Sequence, residues 1–210
     1  MTPDSLQHAF FTLGGSDAVE SALKMARYYH AANGNPERRH FIALDHGYHG
    51  SAFIGSAVSG LGYMHPFLGL DFEFIHHLPS HYPYRHLAGP DPDAIIAASE
   101  QAFEGKIAEV GAKNIAAFIS EPLHGAGGVI IPPKGWLTAM QRICRDHGIL
   151  FIVDEVITGF CRTGKFFGSE HENLQPDLMT MAKGLTSAYV PMGGVMLSDA
   201  NLLDHPSCRM

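Results

Sequence analysis

Hydrophobic positions along this chain follow two patterns, and the two patterns alternate. Apolar residues that recur every three or four positions predict amphipathic helices over residues 16–32, 92–110 and 136–147. Short unbroken apolar runs predict buried strands over residues 9–13, 40–44, 115–120, 149–153, 178–182 and 194–197. Helices that alternate with apolar strands are typical of an α/β domain, so we predict a central, mostly parallel sheet with helices on both faces. The stretch 45–89 is rich in His, Pro, Gly and Tyr and is predicted to be mainly loop.

Charged residues stand directly after three of the predicted strands. Glu121 follows the run 115–120, Asp154 follows 149–153, and Lys183 follows 178–182. Ligands of parallel sheets bind at the carboxyl ends of the strands, where these side chains are expected to meet. A carboxylate on one strand and an amine on another suit pyridoxal 5′-phosphate, because the carboxylate pairs with the pyridinium nitrogen and the lysine forms the Schiff base. Since Lys183 follows apolar residues, we expect its amine to be desolvated and therefore more nucleophilic; a solvated lysine is the alternative.

A glycine-rich turn precedes the first amphipathic helix. It reads Gly14-Gly15-Ser16-Asp17, and the main-chain N–H groups and hydroxyl at such a helix start can hold a phosphate. The other interpretation is an ordinary turn in which Ser16 is the N-cap of the helix. The segment is neither the GxGxxG fingerprint of dinucleotide-binding folds nor a P-loop, so the sequence does not favour a nucleotide-binding module.

Two carboxylates are adjacent at Asp154 and Glu155. Side chains of consecutive strand residues point to opposite faces, so we expect only Asp154 to meet the ligand, with Val156 on the same side. Two further interpretations remain open, a divalent metal site and carboxylates that only cap nearby backbone.

Glycines also flank an aromatic residue in Gly47-Tyr48-His49-Gly50. They would let the Tyr48 ring stand over a flat ligand, and the alternative is a surface turn with a half-buried tyrosine. His49 is one of 14 histidines in the chain, so it is not counted among the site residues.

Composition narrows the function classes. The chain has 210 residues, of which 46% are hydrophobic and 17% charged, which indicates a globular domain. Asp and Glu outnumber Lys and Arg by 21 to 14 without a basic stripe, so nucleic acid and anionic membranes are not expected partners. No apolar run reaches the roughly 18–20 residues of a membrane span, and the first residues do not resemble a signal peptide. Three cysteines without metal-type spacing fit a reduced, cytoplasmic protein, and no metal site is predicted.

Five separate segments of the chain match one known family in order and spacing. The segments are residues 10–20, 47–50, 120–122, 151–160 and 176–187. Together they resemble the class III pyridoxal-phosphate-dependent aminotransferases, particularly the ω-amino acid or amine:pyruvate branch. The resemblance implies that residues 1–210 form the large domain of a fold-type-I transferase. We expect that domain to be incomplete at both ends and the family's small domain to be absent.

The resemblance implies catalytic roles for two residues. Lys183 matches the lysine that holds the cofactor as an aldimine and later moves a proton between the substrate carbon and the cofactor. Asp154 matches the carboxylate that keeps the pyridine nitrogen protonated, so that the ring acts as an electron sink.

It also implies a set of cofactor-binding residues. Gly15 and Ser16 match the phosphate-binding turn. Tyr48 and Val156 match the side chains that cover the two faces of the cofactor ring. Glu121 matches an acid near the cofactor whose role is less defined.

Three residues depart from the family pattern. Gly14 stands where many members have Ser, and both Cys161 and Ala188 stand where Gly is usual. If the backbone has a positive φ at Cys161, a side chain there is expected to strain the loop.

The predicted function is transfer of an amino group from an ω-amino acid or amine to a keto acid such as pyruvate, by two half-reactions on pyridoxal 5′-phosphate. The segment Tyr82-Pro83-Tyr84-Arg85 favours this branch of the family. The alternatives are a 4-aminobutyrate or ornithine aminotransferase, a glutamate-1-semialdehyde aminomutase, and an inactive fragment of such an enzyme. The resemblance further implies that the full-length protein is a homodimer.

Overall fold

The computed structural model describes residues 5–198, and these form a single sheet with helices packed against it. The strands are β1 His8–Thr12, β2 His40–Leu44, β3 Ile75–Leu78, β4 Ile115–Ser120, β5 Leu150–Asp154, β6 Leu178–Met181 and β7 Gly193–Leu197. The helices are α1 Gly15–Ala32, α2 Phe53–Val58, α3 His65–Leu68, α4 Pro92–Val110 and α5 Trp136–Asp146.

The strand order across the sheet is β1-β7-β6-β5-β4-β2-β3. Strands β3, β2, β4, β5 and β6 are parallel, whereas β7 runs antiparallel to both β6 and β1. The predicted mostly parallel sheet is therefore confirmed, with one antiparallel strand near an edge. The carboxyl ends of the five parallel strands lie along the same edge of the sheet.

Helices cover both faces of the sheet, and the alternation along β5 separates the two cores. Phe151 and Val153 pack with α4 and α5, in a cluster that includes Phe103 and Trp136. Leu150 and Ile152 pack on the opposite face, with α1. All five residues of β5 are buried, which is why the strand reads as an unbroken apolar run.

Most of the region over residues 45–89 is loop, as predicted, but three short elements in it were not foreseen. This region contains β3 and the two short helices α2 and α3. Strand β3 has the sequence Ile-His-His-Leu, and its register pairs Leu78 with Leu44 of β2. Its histidines are only half-buried and hold tertiary contacts: His77 Nε2 lies 3.0 Å from the carbonyl oxygen of Val58. A four-residue strand at a sheet edge, with polar side chains at its centre, has no apolar signature.

A cluster of three aromatic rings lies under α5. His81, His124 and Trp136 are fully buried, and the His81 ring centroid is 4.5 Å from both of the other rings. Burial lowers the pKa of His81 to about 4, although the carbonyl of Ile130 opposes the shift. Burial lowers the pKa of His124 further, to about 2, and the neighbouring imidazoles, His81 first, add to the effect. Both rings are therefore neutral at physiological pH.

Across the described range, no helix combines the length and the apolar character that crossing a membrane requires.

Candidate active site

A cavity of about 240 Å³ opens at the carboxyl ends of the parallel strands. It is lined by all seven residues that the sequence singled out, which are Gly15, Ser16, Tyr48, Glu121, Asp154, Val156 and Lys183. They come from the start of α1, from the loop after β2 and from the ends of β4, β5 and β6. Residues separated by up to 168 positions in the chain thus meet at one edge of the sheet, as the strand-end argument predicted.

Asp154 is held in one orientation by three hydrogen bonds. It is buried at the end of β5 and continues the α1-facing series that begins with Leu150 and Ile152. Its Oδ1 accepts from the Thr180 hydroxyl at 2.9 Å and from the main-chain N–H of Val156 at 3.1 Å. Its Oδ2 lies 2.8 Å from Nδ1 of His49. Because a carboxylate only accepts, Nδ1 is the protonated ring nitrogen of His49.

His49 is the residue of the cavity that sequence reasoning missed. It is buried, its main-chain N–H donates to the Ser59 hydroxyl at 2.8 Å, and its ring contacts a carboxylate 105 positions away. The motif Gly47-Tyr48-His49-Gly50 was the available signal, but it gives no indication of the histidine's partner. Only the tertiary structure distinguishes this histidine from the other 13.

Glu121 is a second buried carboxylate beside the cavity. Its Oε1 accepts from the main-chain N–H of Tyr48 and its Oε2 from that of Gly125, both at 3.0 Å. Burial raises the pKa of Glu121; His49 and the two N–H donors oppose the shift, and the Asp154 carboxylate adds to it. Glu121 therefore ties the Tyr48 loop to the loop after β4.

Glu155 points away from the cavity. It is fully buried and accepts from the main-chain N–H groups of Gly168 at 2.9 Å and Ser169 at 2.7 Å, and from the Thr158 hydroxyl. These contacts anchor the segment that follows Phe167. The two adjacent carboxylates thus serve opposite sides of the strand end, in the arrangement that strand alternation predicts.

The glycine turn packs closely against Val156, two residues after the end of β5. A Cβ at Gly15 would lie 3.0 Å from Cγ1 of Val156, and one at Gly50 would lie 2.6 Å from Oγ of Ser16. Helix α1 begins at Gly15, so its first-turn N–H groups have no partner within the helix, and Gly15 and Ser16 line the cavity. The interpretation of Ser16 as an N-cap is wrong, because the N-cap is Gly14, two residues earlier, and Ser16 Oγ accepts from Ser51 N at 3.0 Å instead.

Lys183 follows β6 with a backbone conformation that is rare for a non-glycine residue. Its φ is 43°, in the left-handed region, and such strain is found most often at functional sites. The expectation that the Lys183 amine is desolvated is wrong, because its side chain is exposed in the part of the chain that the structure describes. The apolar residues before it, Met181 and Ala182, are buried, but the chain turns outward at Lys183.

The positive φ that would strain the loop at Cys161 is present, and Ala188 has a positive φ as well. Cys161 has φ 67° and Ala188 has φ 64°, and both side chains are exposed. Gly14 has φ 176°, which is ordinary extended backbone.

The metal interpretation of the strand end finds no support in the described part of the chain. No group of three or more His, Cys, Asp or Glu side chains between residues 5 and 198 is arranged to hold an ion. Asp154 and Glu155 are instead committed to different partners on opposite sides.

Comparison with protein families gives one match that covers almost the whole chain. Residues 1–204 match the family described as aminotransferase class-III. Over 199 residues the chain is 43% identical to putrescine–pyruvate aminotransferase of Pseudomonas aeruginosa, covering 95% of this chain and 44% of that protein. It is also 43% identical to mitochondrial gamma-aminobutyrate transaminase 1 of Oryza sativa subsp. indica, covering 94% of this chain and 38% of the relative.

Solved structures agree with the sequence comparison. An amine transaminase from an uncultivated Pseudomonas species, in its PLP-bound form, superposes with a TM-score of 0.93 at 41% identity, covering 97% of this chain and 46% of that one. The omega transaminase of Pseudomonas jessenii, in complex with PMP, gives a TM-score of 0.94 at 36% identity, with coverage of 99% and 47%. The chain spans less than half the length of each of these relatives.

Proposed function

Because this chain belongs to the class-III aminotransferase family, we propose that it is the cofactor-binding large domain of a transaminase. The parent enzyme moves an amino group from an ω-amino acid or amine to a keto acid such as pyruvate. The proposal is supported by the family match over residues 1–204 and by relatives that include a putrescine–pyruvate aminotransferase. The observation that carries it is local: Asp154 ends β5, Lys183 follows the adjacent strand β6, and both line one cavity with the glycine turn of α1.

The residues around the cavity fit pyridoxal 5′-phosphate, the cofactor that the family implies. The start of α1 offers free N–H groups and the Ser16 hydroxyl to a phosphate, and Gly15 packs closely against the Val156 side chain. A buried carboxylate suits a protonated ring nitrogen, and an accessible amine suits an aldehyde. Tyr48 and Val156 would hold the two faces of the ring. When bound, the cofactor supplies an electron sink for the substrate carbon that gives up its amino group.

Asp154 holds the proton on the ring nitrogen in this proposal. Its hydrogen bonds from Thr180 and Val156 orient one oxygen, and His49 orients the other. A carboxylate fixed in this way remains an acceptor aimed into the cavity without reorganising during the reaction. His49 is then a positioning residue that acts through Asp154.

Lys183 has two tasks in this proposal. Its Nζ would hold the cofactor covalently when no substrate is present, and would move the proton to and from the substrate carbon when substrate is bound. Glu121 acts indirectly, because it accepts a hydrogen bond from the main-chain N–H of Tyr48 and so positions the aromatic ring.

Chemical labelling tests the central assignment. Incubation with pyridoxal 5′-phosphate followed by borohydride reduction should leave a phosphopyridoxyl group on Lys183, located by peptide mapping. Lys183→Ala should abolish the label, whereas the matched control Lys165→Ala, at another exposed lysine, should retain it. Label on Lys134 or Lys165 in place of Lys183 would overturn the assignment.

A second donor, 4-aminobutyrate, is supported by one specific observation. The rice gamma-aminobutyrate transaminase is as similar to this chain as the putrescine–pyruvate aminotransferase, at 43% identity. Assays of the full-length protein with putrescine and with 4-aminobutyrate, each with pyruvate as acceptor, distinguish the two. Turnover of 4-aminobutyrate alone would reject the amine:pyruvate assignment.

We also infer that the full-length protein is a homodimer. The outer strand β1 exposes Phe11, and Leu13, Tyr189 and Val190 are exposed as well. A second copy that covers this apolar group would remove it from water. Sedimentation velocity should give a dimer that Phe11→Glu weakens; a monomer at all concentrations would contradict the inference.

A cytoplasmic location is proposed on the state of the cysteines. Cys144 and Cys161 are both free thiols in the structure, as expected for a reducing compartment. Imaging of the tagged full-length protein tests this, and accumulation in an oxidising compartment would reject it.

A further inference from the structure

The start of helix α2 is held by a carboxylate from another helix. The N-cap residue of α2, Ala52, has no side-chain oxygen that could accept from the first-turn N–H groups. Oε1 of Glu20, on α1, accepts from two of them instead, from Ile54 N at 2.7 Å and from Gly55 N at 3.0 Å. Glu20 therefore satisfies the donors that an N-cap side chain usually satisfies, although it lies 34 positions before Ile54 in the chain.

Helix α1 holds the segment before α2 at a second point, one turn earlier. Ser16 Oγ accepts from Ser51 N at 3.0 Å, and Ser16 and Glu20, four positions apart, are neighbours on the surface of α1. A Cβ at Gly50 would lie 2.6 Å from the Ser16 hydroxyl oxygen, so the helix and the segment are in close contact there. The start of α1, which offers its N–H groups to a phosphate in the proposed function, is thus tied to the segment 50–55.

A chain of hydrogen bonds leads from α2 to the Asp154 carboxylate. The carbonyl oxygen of Gly55 accepts from the Ser59 hydroxyl at 2.8 Å, and Ser59 Oγ in turn accepts from His49 N at 2.8 Å. His49 then donates through Nδ1 to Oδ2 of Asp154, also at 2.8 Å. Ser59, His49 and Asp154 are all buried, so little water competes for these bonds. A displacement of α2 would therefore move His49 and the carboxylate that it contacts.

We propose that Glu20 is a positioning residue of the cofactor site. Through α2 it holds the segment that carries Tyr48 and His49, and so it fixes the Asp154 carboxylate relative to the start of α1. The inference rests on the proposed function, because it assigns Glu20 to the site of the same cofactor. In the described part of the chain Glu20 is not among the residues that line the cavity, so it acts only through the residues that it holds.

Hydrogen–deuterium exchange of the full-length protein without cofactor tests the hold on the segment. Glu20→Ala should raise the exchange rate of peptides that cover residues 49–59 about tenfold, the worth of one charge-assisted hydrogen bond. Glu20→Gln keeps an amide oxygen that can accept from the same two N–H groups, so its exchange rate should stay within about threefold of the wild-type rate.

Glu172→Ala is the matched control. Glu172 is also a carboxylate that accepts from main-chain N–H groups at the start of a distant helix, but the helix is α5 and the donors are Gly135 N at 2.8 Å and Thr138 N at 2.9 Å. Its loss should raise exchange over residues 135–138 and leave residues 49–59 unchanged. A response of residues 49–59 to Glu172→Ala that equals the response to Glu20→Ala would overturn the proposal, because it would reflect a general loss of stability.

Titration of the full-length protein with pyridoxal 5′-phosphate tests the consequence for the site. The cofactor should bind Glu20→Ala about tenfold more weakly than the wild type, because the variant must order the segment on binding. Its visible circular dichroism should also weaken, since that signal requires a ring held in a fixed orientation, whereas Glu20→Gln and Glu172→Ala should match the wild type.

Two kinds of failure are distinguishable. Unchanged exchange over residues 49–59 in Glu20→Ala would overturn the role of Glu20 and leave the proposed function intact. Unchanged cofactor affinity and dichroism in that variant would do the same. A wild-type protein that binds no pyridoxal 5′-phosphate would reject the proposed function, and the inference with it.

Discussion

Replacing Cys161 or Ala188 by glycine should stabilise this protein. Both residues have left-handed backbone conformations, with φ 67° and 64°, and both are exposed. Their side chains therefore contribute little buried surface, while their Cβ atoms crowd the backbone. Glycine removes the Cβ and relieves that crowding.

The size of the effect follows from two opposing terms. An L-residue in the left-handed region costs about 1–2 kcal/mol relative to its preferred conformation. The greater freedom of glycine in the unfolded chain offsets about 0.4–1 kcal/mol of this gain. Each substitution should therefore add about 0.5–1 kcal/mol to the free energy of unfolding, which corresponds to a rise in Tm of about 1–4 °C for a chain of this size.

Urea unfolding followed by far-UV circular dichroism measures the change, with the shift in midpoint read at constant slope. Two control variants separate backbone strain from a general effect of glycine. Ala97→Gly, at an exposed position inside α4, should lower stability by about 1 kcal/mol, since glycine is unfavourable in a helix. Gly69→Ala tests the converse, because Gly69 has φ 61° and a Cβ there would meet nothing within 4 Å.

Lower midpoints for Cys161→Gly and Ala188→Gly, like that of Ala97→Gly, would refute backbone strain at these positions. A neutral Gly69→Ala would refute it as well, because that glycine has space for a methyl group and only its φ opposes the change.

Two further predictions concern charged groups. In the full-length enzyme, Asp154→Asn should lower any half-reaction by orders of magnitude, whereas Glu155→Gln should act on stability, at a cost of about 1–3 kcal/mol, because its buried N–H partners lose their carboxylate. A mild Asp154→Asn with a crippling Glu155→Gln in stopped-flow assays would reverse their roles. His81 and His124 have pKa values of about 4 and about 2 in the folded protein against 6.5 ordinarily, so the unfolded chain binds more protons between pH 6.5 and pH 4 and acid destabilises the fold. Over this pH range each histidine should lower the free energy of unfolding by about 1.4 kcal/mol per pH unit of acidification. His124→Leu should reduce the pH dependence of the free energy of unfolding, measured by urea titration, by that amount. An unchanged pH dependence would show that His124 does not titrate on unfolding.

The elements that the sequence predicted well are those with an unbroken apolar or amphipathic signature. The strand over 40–44 and the strand over 115–120 have the bounds predicted from their apolar runs, because burial on both faces excludes polar residues. Strand β3 was missed because its position at the sheet edge tolerates two central histidines, and α2 because its six residues have no side-chain cap.

In the candidate site, too, some features follow from local sequence patterns and others do not. Strand alternation was enough to separate Asp154 from Glu155, since it is a local property of the backbone. The partner of His49 and the exposure of Lys183 depend on how the chain turns after β2 and β6, which local patterns do not encode. The N-cap assignment of Ser16 failed for a related reason, because its hydroxyl binds Ser51 in a different loop.

The aromatic cluster under α5 gives the protein a built-in optical reporter. The chain contains one tryptophan, and that residue is Trp136, fully buried with its ring centroid 4.5 Å from that of His81. Its emission therefore comes from a single place, the packing of the first turn of α5 on the sheet. An imidazolium quenches indole emission more strongly than a neutral imidazole does, so protonation of His81 would dim the signal before the helix leaves the sheet. Fluorescence of the unlabelled chain can thus distinguish a titrating core from an unfolded one.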